Sequence, residues 1–318
     1  MKKFILLFAS ILTIPAFAVN AFAQQKNLDT KNKEASKLNP LDIITIEKVL
    51  ERKGKENNGE YKITVPQNDL KVDVDGFKII PAMGLASWAA FTPSREGAMV
   101  MGDIVLTEND LKPVQREVIR LGLTITAIHN HFVRNHPNII YMHIGGSGNT
   151  TKMAQNIKAV FDAVATSRGK DPAATTADSV ENTIDIKMLD AILAQKGEWN
   201  KGVYKYTFGR PDVSLSEHGI KITSFLGFNT WAAWQGTADH AAVAGDFTML
   251  EDEVAPVIKA LVENGIEVVA LHNHMVHERP KIFFLHYWGV GNSEQLAKGL
   301  KTALDQTGKK KSWGMKME

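Results

Sequence analysis

The sequence contains no cysteine. That excludes disulfides and a lipid-anchoring cysteine, and any metal site must use imidazole and carboxylate rather than thiolate. Charge of one sign is scarce as well. Lys and Arg total 37 against 35 Asp and Glu over 318 residues, a formal net charge of +2. That balance argues against a nucleic-acid partner, which needs a basic surface. The one basic cluster, Lys309-Lys310-Lys311, falls in a polar tail, residues 309–318. Beyond the N-terminal segment no apolar run approaches the ~20 residues of a spanning helix, so no membrane span is expected in the mature form. What remains is an ordinary globular composition, long enough for two domains.

The N-terminal segment reads as an export signal. Lys2 and Lys3 precede an apolar stretch from Phe4 to Phe17, interrupted by Pro15, and Ala21-Phe22-Ala23 has the small-x-small pattern of a signal-peptidase site. Residues 1–23 are therefore expected to be a signal peptide and 24–40 a disordered polar linker, with the mature protein periplasmic or secreted.

The rest of the chain repeats itself at a constant shift of 143 positions. Tyr61-Lys62 recurs as Tyr204-Lys205, Trp88-Ala89-Ala90 as Trp231-Ala232-Ala233, and Gly102-Asp103 as Gly245-Asp246. His129-Asn130-His131 recurs as His272-Asn273-His274, Pro137 as Pro280, and His143 as His286. Self-similarity on this scale marks two copies of one domain. Residues 41–166 form the first and 184–308 the second, with a Thr- and Ala-rich linker, 167–183, between them.

Each copy is expected to open with a helix (43–53 and 186–196). In the first, strands follow at 61–65, 76–80, 87–91 and 98–106. Leu111, Val114, Val118 and Leu121 have helical spacing over 108–120, closed by Gly122. Strands at 123–132 and 138–146, joined as a hairpin, and a helix at 151–165 complete the domain. The fold class is α+β: each copy is a mainly antiparallel sheet with helices on one face, and a ferredoxin-like element spans the segment from Ala98 onward.

Residues i and i+2 of a strand point to one face about 6.5–7 Å apart. His129 and His131 are thus expected to aim together, with His143 returning on the neighbouring strand, and likewise His272, His274 and His286. Imidazoles so placed can converge on a cation at Zn–N distances of about 2.0–2.1 Å and leave one position open. Asp103 and Asp246 are placed to add a carboxylate ligand or to orient a ligand histidine. A structural, hydrogen-bonded role for the histidines is the competing explanation. Glu108 and Glu251 recur too, but at helix starts, where an acid suits the positive helix end. Other histidines do not recur: His136 faces Arg279, His277 faces Arg134, and His240 faces Gly97. His277 and Asp246 make the second copy the stronger candidate for acid–base catalysis.

The letters His-Asn-His do not make a nuclease motif here, because they are adjacent on one strand and no basic surface accompanies them. Trp88 with Phe91, and Trp231 with Trp234, are read as aromatics on one strand face, packed in the core or, less simply, walling a glycan pocket. The run Gly145-Gly146-Ser147-Gly148 reads as a turn before the final helix, since Trp288 and Val290 replace two of its counterparts. Met99, Met101 and Met142 would suit copper(I), but their counterparts are Ala242, Ala244 and Leu285, which favours zinc.

The duplicated order of Gly-Asp, helix, Ile128-His129-Asn130-His131 (Leu271 through His274 in the second copy), Pro and strand His resembles the LppY/LpqO family of exported bacterial proteins. The resemblance implies export and a duplicated domain, and brings no established reaction. Lipoprotein members carry a lipidated cysteine that this chain lacks, which implies a soluble form. Three functions follow as expectations: a zinc or copper binder, a metal-dependent hydrolase of the cell envelope, and a non-enzymatic binder of envelope glycans or another small molecule.

Overall fold

The computed structural model describes residues 38–176 and 178–308. The expected signal peptide, most of the polar linker and the basic tail lie outside the described residues. No described helix is long and apolar enough to cross a membrane.

The first repeat runs α1 (Ile43–Leu50), β1 (Lys55–Asn57), β2 (Glu60–Pro66), β3 (Val72–Val74), β4 (Phe77–Ile79), β5 (Ala86–Ser94), β6 (Gly97–Thr107), α2 (Glu108–Arg120), β7 (Thr124–His129), β8 (Asn135–His136), β9 (Ile139–Gly148) and α3 (Thr150–Arg168). The second runs α4 (Ile186–Leu193), β10 (Glu198–Asn200), β11 (Val203–Gly209), β12 (Ser216–Glu217), β13 (Ile220–Lys221), β14 (Asn229–Gly236), β15 (Ala241–Leu250), α5 (Glu251–Glu263), β16 (Glu267–His272), β17 (Glu278–Arg279), β18 (Ile282–Gly291) and α6 (Ser293–Leu304). Each repeat builds a six-stranded antiparallel sheet, ordered β1-β2-β5-β6-β9-β7 and β10-β11-β14-β15-β18-β16. A separate three-stranded sheet, β4-β3-β8 or β13-β12-β17, accompanies each. The α+β duplicated plan is therefore observed. β6, α2 and β7 form a split β-α-β unit with β9 inserted between the strands, the ferredoxin-like element.

Local chemistry sets the ends of the helices. Asp42 caps α1 by accepting from Thr45 N at 3.0 Å, and Asn149 and Asn292 cap α3 and α6 in the same way. Asp110 and Glu253, in the first turns of α2 and α5, accept from the N–H of Thr107 and Leu250 at 2.8 Å.

Strand alternation divides each sheet into two buried faces. In β6, Val100, Ile104 and Leu106 point toward the helices. Met99, Met101 and Val105 point the other way and join clusters that include Phe228, Met275 and Phe284, or Ala233, Ala244 and Trp288, of the second repeat. The two repeats thus pack together through the sheet faces that carry no helices. Arg134 reinforces the contact, donating to Asp75 at 2.9 Å and to Glu267 of the second repeat at 2.7 Å.

Three local expectations are corrected. The β7 strand ends at His129, and its continuation leaves to pair as β8 with β3, so β7 and β9 are not joined by a plain hairpin. Trp88 and Phe91 are three residues apart and lie on opposite faces: Phe91 packs under the helices and Trp88 against the other repeat. Gly145 to Gly148 belong to β9 rather than a turn, and a Cβ on Gly146 would come within 2.6 Å of Leu123 Cδ2.

Candidate metal centre

Register builds the site. Trp88 pairs with Asp103, Asp103 with His143, and His143 with Ala127, so Trp, Asp and His stand in one row across the first sheet. The second sheet repeats it as Trp231, Asp246, His286 and Ala270. Paired residues share a face, and this face meets the other repeat. His129 closes β7 opposite Tyr141, and His131 follows in the loop toward β8.

The two rows meet. His129 and His272 stack with ring centroids 3.8 Å apart. His131 lies 3.8 Å from His286, and His143 lies 4.0 Å from His274. All six imidazoles therefore form one cluster, with His143 and His286 each beside the loop histidine of the other repeat. Tyr141 stacks on His131 and Phe284 on His274, holding the loop rings flat. His143 Nδ1 sits 3.3 Å from Gly102 O and His286 Nδ1 3.1 Å from Gly245 O. A proton on each Nδ1 satisfies these contacts and leaves Nε2 lone pairs for a ligand.

Among the described residues, both ring nitrogens of His129 and His272 and the Nε2 atoms of His143 and His286 are buried without a hydrogen-bond partner. Each such group costs about 1–3 kcal/mol when left unmade. Three overlapping groups offer ligand atoms within 4.8 Å of one another: His129, His131 and His286; His129, His143 and His272; and Asp246, His272 and His274. The first two draw on both repeats. Asp103 lies 3.5 Å from His131, and Asp246 lies 3.4 Å from His274 and 4.0 Å from His272.

The electrostatics suit a cation. Burial, then the neighbouring imidazoles, pushes His272 down to about 2 and holds His129, His274 and His286 well below the ordinary histidine range. Burial also drives Asp246 well above the usual carboxylate range, with Asp103 across the cluster adding to the rise. For Asp103 burial acts the same way but is outweighed by His143 and His131, so its carboxyl stays below that range. A carboxylate charge among imidazoles that resist protonation is a setting that a divalent ion completes.

A cavity of about 310 Å³ reaches the cluster. His131, His143, His274, His286, Asp103 and Asp246 line it, together with Trp88, Trp231, Lys62 and Lys205 among others. The tryptophans are thus neither simple core nor surface. Trp88 crosses to Gly227, where a Cβ would lie 3.2 Å from its ring, and Trp231 crosses to Gly84 with 3.1 Å. Both glycines have positive φ, 101° and 105°, following short 3₁₀ turns at Ser224–Leu226 and Pro81–Met83.

His277 is placed elsewhere. It is exposed, its ring lies 4.9 Å from His218, and it lines a second cavity of about 220 Å³ beside Met99, Met101 and His274. Glu108 accepts from Asn138 Nδ2 at 2.9 Å and does not join the cluster. Sequence reasoning missed Lys62 and Lys205, although the recurrent Tyr-Lys pair was visible in the self-alignment.

The profile described as Domain of Unknown Function (DUF1259) matches residues 44–163 and 187–306. The chain belongs to that family and carries its domain twice. No curated protein matches. Similar solved structures include the trimeric bacterial microcompartment shell protein PduB, at 9% identity over 80% of this chain and 88% of that one, with a TM-score of 0.19. EtuB from Clostridium kluyveri matches at 7% identity over 80% and 88%, also with a TM-score of 0.19. A likeness at that score carries no argument.

Proposed function

We propose that this DUF1259 protein binds one transition-metal ion per chain, zinc in preference to copper, at a centre shared by its two repeats. The observation that carries this reading is the set of buried, unpartnered imidazole nitrogens converging from both repeats within 4.8 Å. The ligand groups overlap at His129 and His272, which favours a single ion over a site in each repeat. Imidazole with one or two carboxylates suits zinc. Met99 and Met101 line the second cavity rather than the one holding both aspartates, which leaves copper(I) with little thioether support. The N-terminal signal pattern supports an exported, periplasmic or secreted protein, as does the LppY/LpqO resemblance.

A second reading, a metal-dependent hydrolase, is favoured by the cavity that reaches the histidines, since a substrate and a metal-bound water could meet there. In that reading Asp103 or Asp246 serves as the base. Elemental analysis of the purified protein tests both. Zinc near one equivalent is expected in wild type and almost none in His272→Ala/His274→Ala. Absence of metal from wild type, or unchanged content in the variant, would overturn both readings. With zinc present, lack of turnover on ester, amide and phosphoester panels would leave the binding function alone.

A further inference from the structure

The cavity over the metal centre holds two lysines where strand alternation calls for apolar side chains. Lys62 in β2 and Lys205 in β11 occupy equivalent positions and point toward the other repeat, on the face whose next strands present Ala90 and Met101, or Ala233 and Ala244. Neither ammonium has a carboxylate within ion-pair distance among the described residues; Glu60 and Asp246 act on them only from farther away. Each instead sits over an indole, Lys62 at 4.5 Å from the Trp88 ring and Lys205 at 4.1 Å from that of Trp231. Trp88 and Trp231 each pack their ring edge against a glycine of the opposite repeat, Gly227 and Gly84.

We infer that this cavity binds a small organic or inorganic oxyanion, a carboxylate or phosphate group held between Lys62 and Lys205 with its remaining atoms between Trp88 and Trp231 and one edge turned to the metal. The inference rests on the metal reading for that last contact only; the lysine pair stands without it. Burial lowers both lysines to about 8; the Lys205 charge lowers Lys62 further, while Asp246 partly offsets the burial of Lys205. Two desolvated like charges facing open space are costly until an anion lies between them. The indoles offset part of that cost but supply no negative charge. A carboxylate or phosphate supplies it, with charge-assisted hydrogen bonds from both ammonium groups. Asn200, also on the cavity wall, can donate to the same group. A cavity of about 310 Å³ limits the ligand to metabolite size.

Calorimetric titration of the full-length protein, metal-free and zinc-loaded, with phosphate, sulfate, succinate and benzoate tests this. At least one of these is expected to bind wild type, and Lys62→Met/Lys205→Met is expected to weaken it by about tenfold or more while zinc content stays at the wild-type level. Lys62→Arg/Lys205→Arg, which keeps the charge, should recover most of the binding and guards against a folding defect in the Met variant. Zinc uptake by wild type with no anion bound, or anion binding unchanged by the Met variant, overturns the inference and spares the metal reading. Lysine-dependent anion binding without zinc uptake does the reverse.

Discussion

The two repeats solve one structural problem with different side chains and bring matching side chains to one shared centre. In both, a carboxylate in the first turn of the helix after the long central strand is buried and needs a cation. In the first repeat Arg168, from the end of α3, donates to Asp110 at 2.8 Å and to Val105 O at 2.9 Å. In the second, Arg210, from the end of β11, donates to Glu253 at 2.7 Å and to Thr248 O at 2.8 Å. Thr248 is the counterpart of Val105 and Glu253 of Asp110, yet Arg210 stands where the first repeat has Gln67. The cation is required, and its origin is free. The histidines have no such freedom. Each metal-capable group containing His286 or His143 takes ligands from both repeats, so each imidazole must arrive from its own strand row.

The contrast can be broken at the arginines first. Arg168→Ala strands the buried Asp110 and Asp69 and should cost about 3–5 kcal/mol in denaturant unfolding. Adding Gln67→Arg, which copies the second repeat, should recover part of it; no recovery would show that the two ion pairs are not alternatives. Next comes pH. The cluster histidines are held below their unfolded value of about 6.5, so the unfolded chain takes up protons before the folded one does. Their contribution is present above that value and lost as pH falls below it. Metal-free protein should therefore lose stability between pH 7.5 and 5.5, by up to about 1.4 kcal/mol per pH unit per histidine. A flat thermal midpoint over that range would contradict the burial of uncharged rings. The smallest effect is expected at the glycines. Gly84→Ala and Gly227→Ala each place a Cβ against the opposite tryptophan at positive φ and should cost about 1–3 kcal/mol, similarly in the two repeats. Unequal losses in thermal melts would show that the crossing tryptophans are not equivalent.

Much of this was legible from the residues alone. Capping and spacing placed α2 at 108–120, and the constant shift isolated the six histidines and both aspartates. The short strands β1, β3 and β8 escaped because two or three residues cannot display a period of two. The end of β7 was misjudged because Phe132 continues the alternation past His129, while Asn135 and His136 go to a different sheet. The meeting of the repeats had one faint signal. β6 and β15 are apolar or small along almost their whole length, as strands of a sheet covered on both faces are, so Met99, Met101 and Val105 needed a partner that their own helices do not supply. Lys62 and Lys205 were passed over because a strand lysine ordinarily faces water.

Zinc stoichiometry in wild type, His129→Ala and His272→Ala, read by native mass spectrometry on refolded and zinc-titrated protein, tests the shared centre most directly. One ion per wild-type chain, held more weakly by about tenfold or more in both single variants, is the expected result, because His129 and His272 link the three ligand groups into one centre. Two ions in wild type, falling to one in each variant, would mean a separate site in each repeat and would contradict the account.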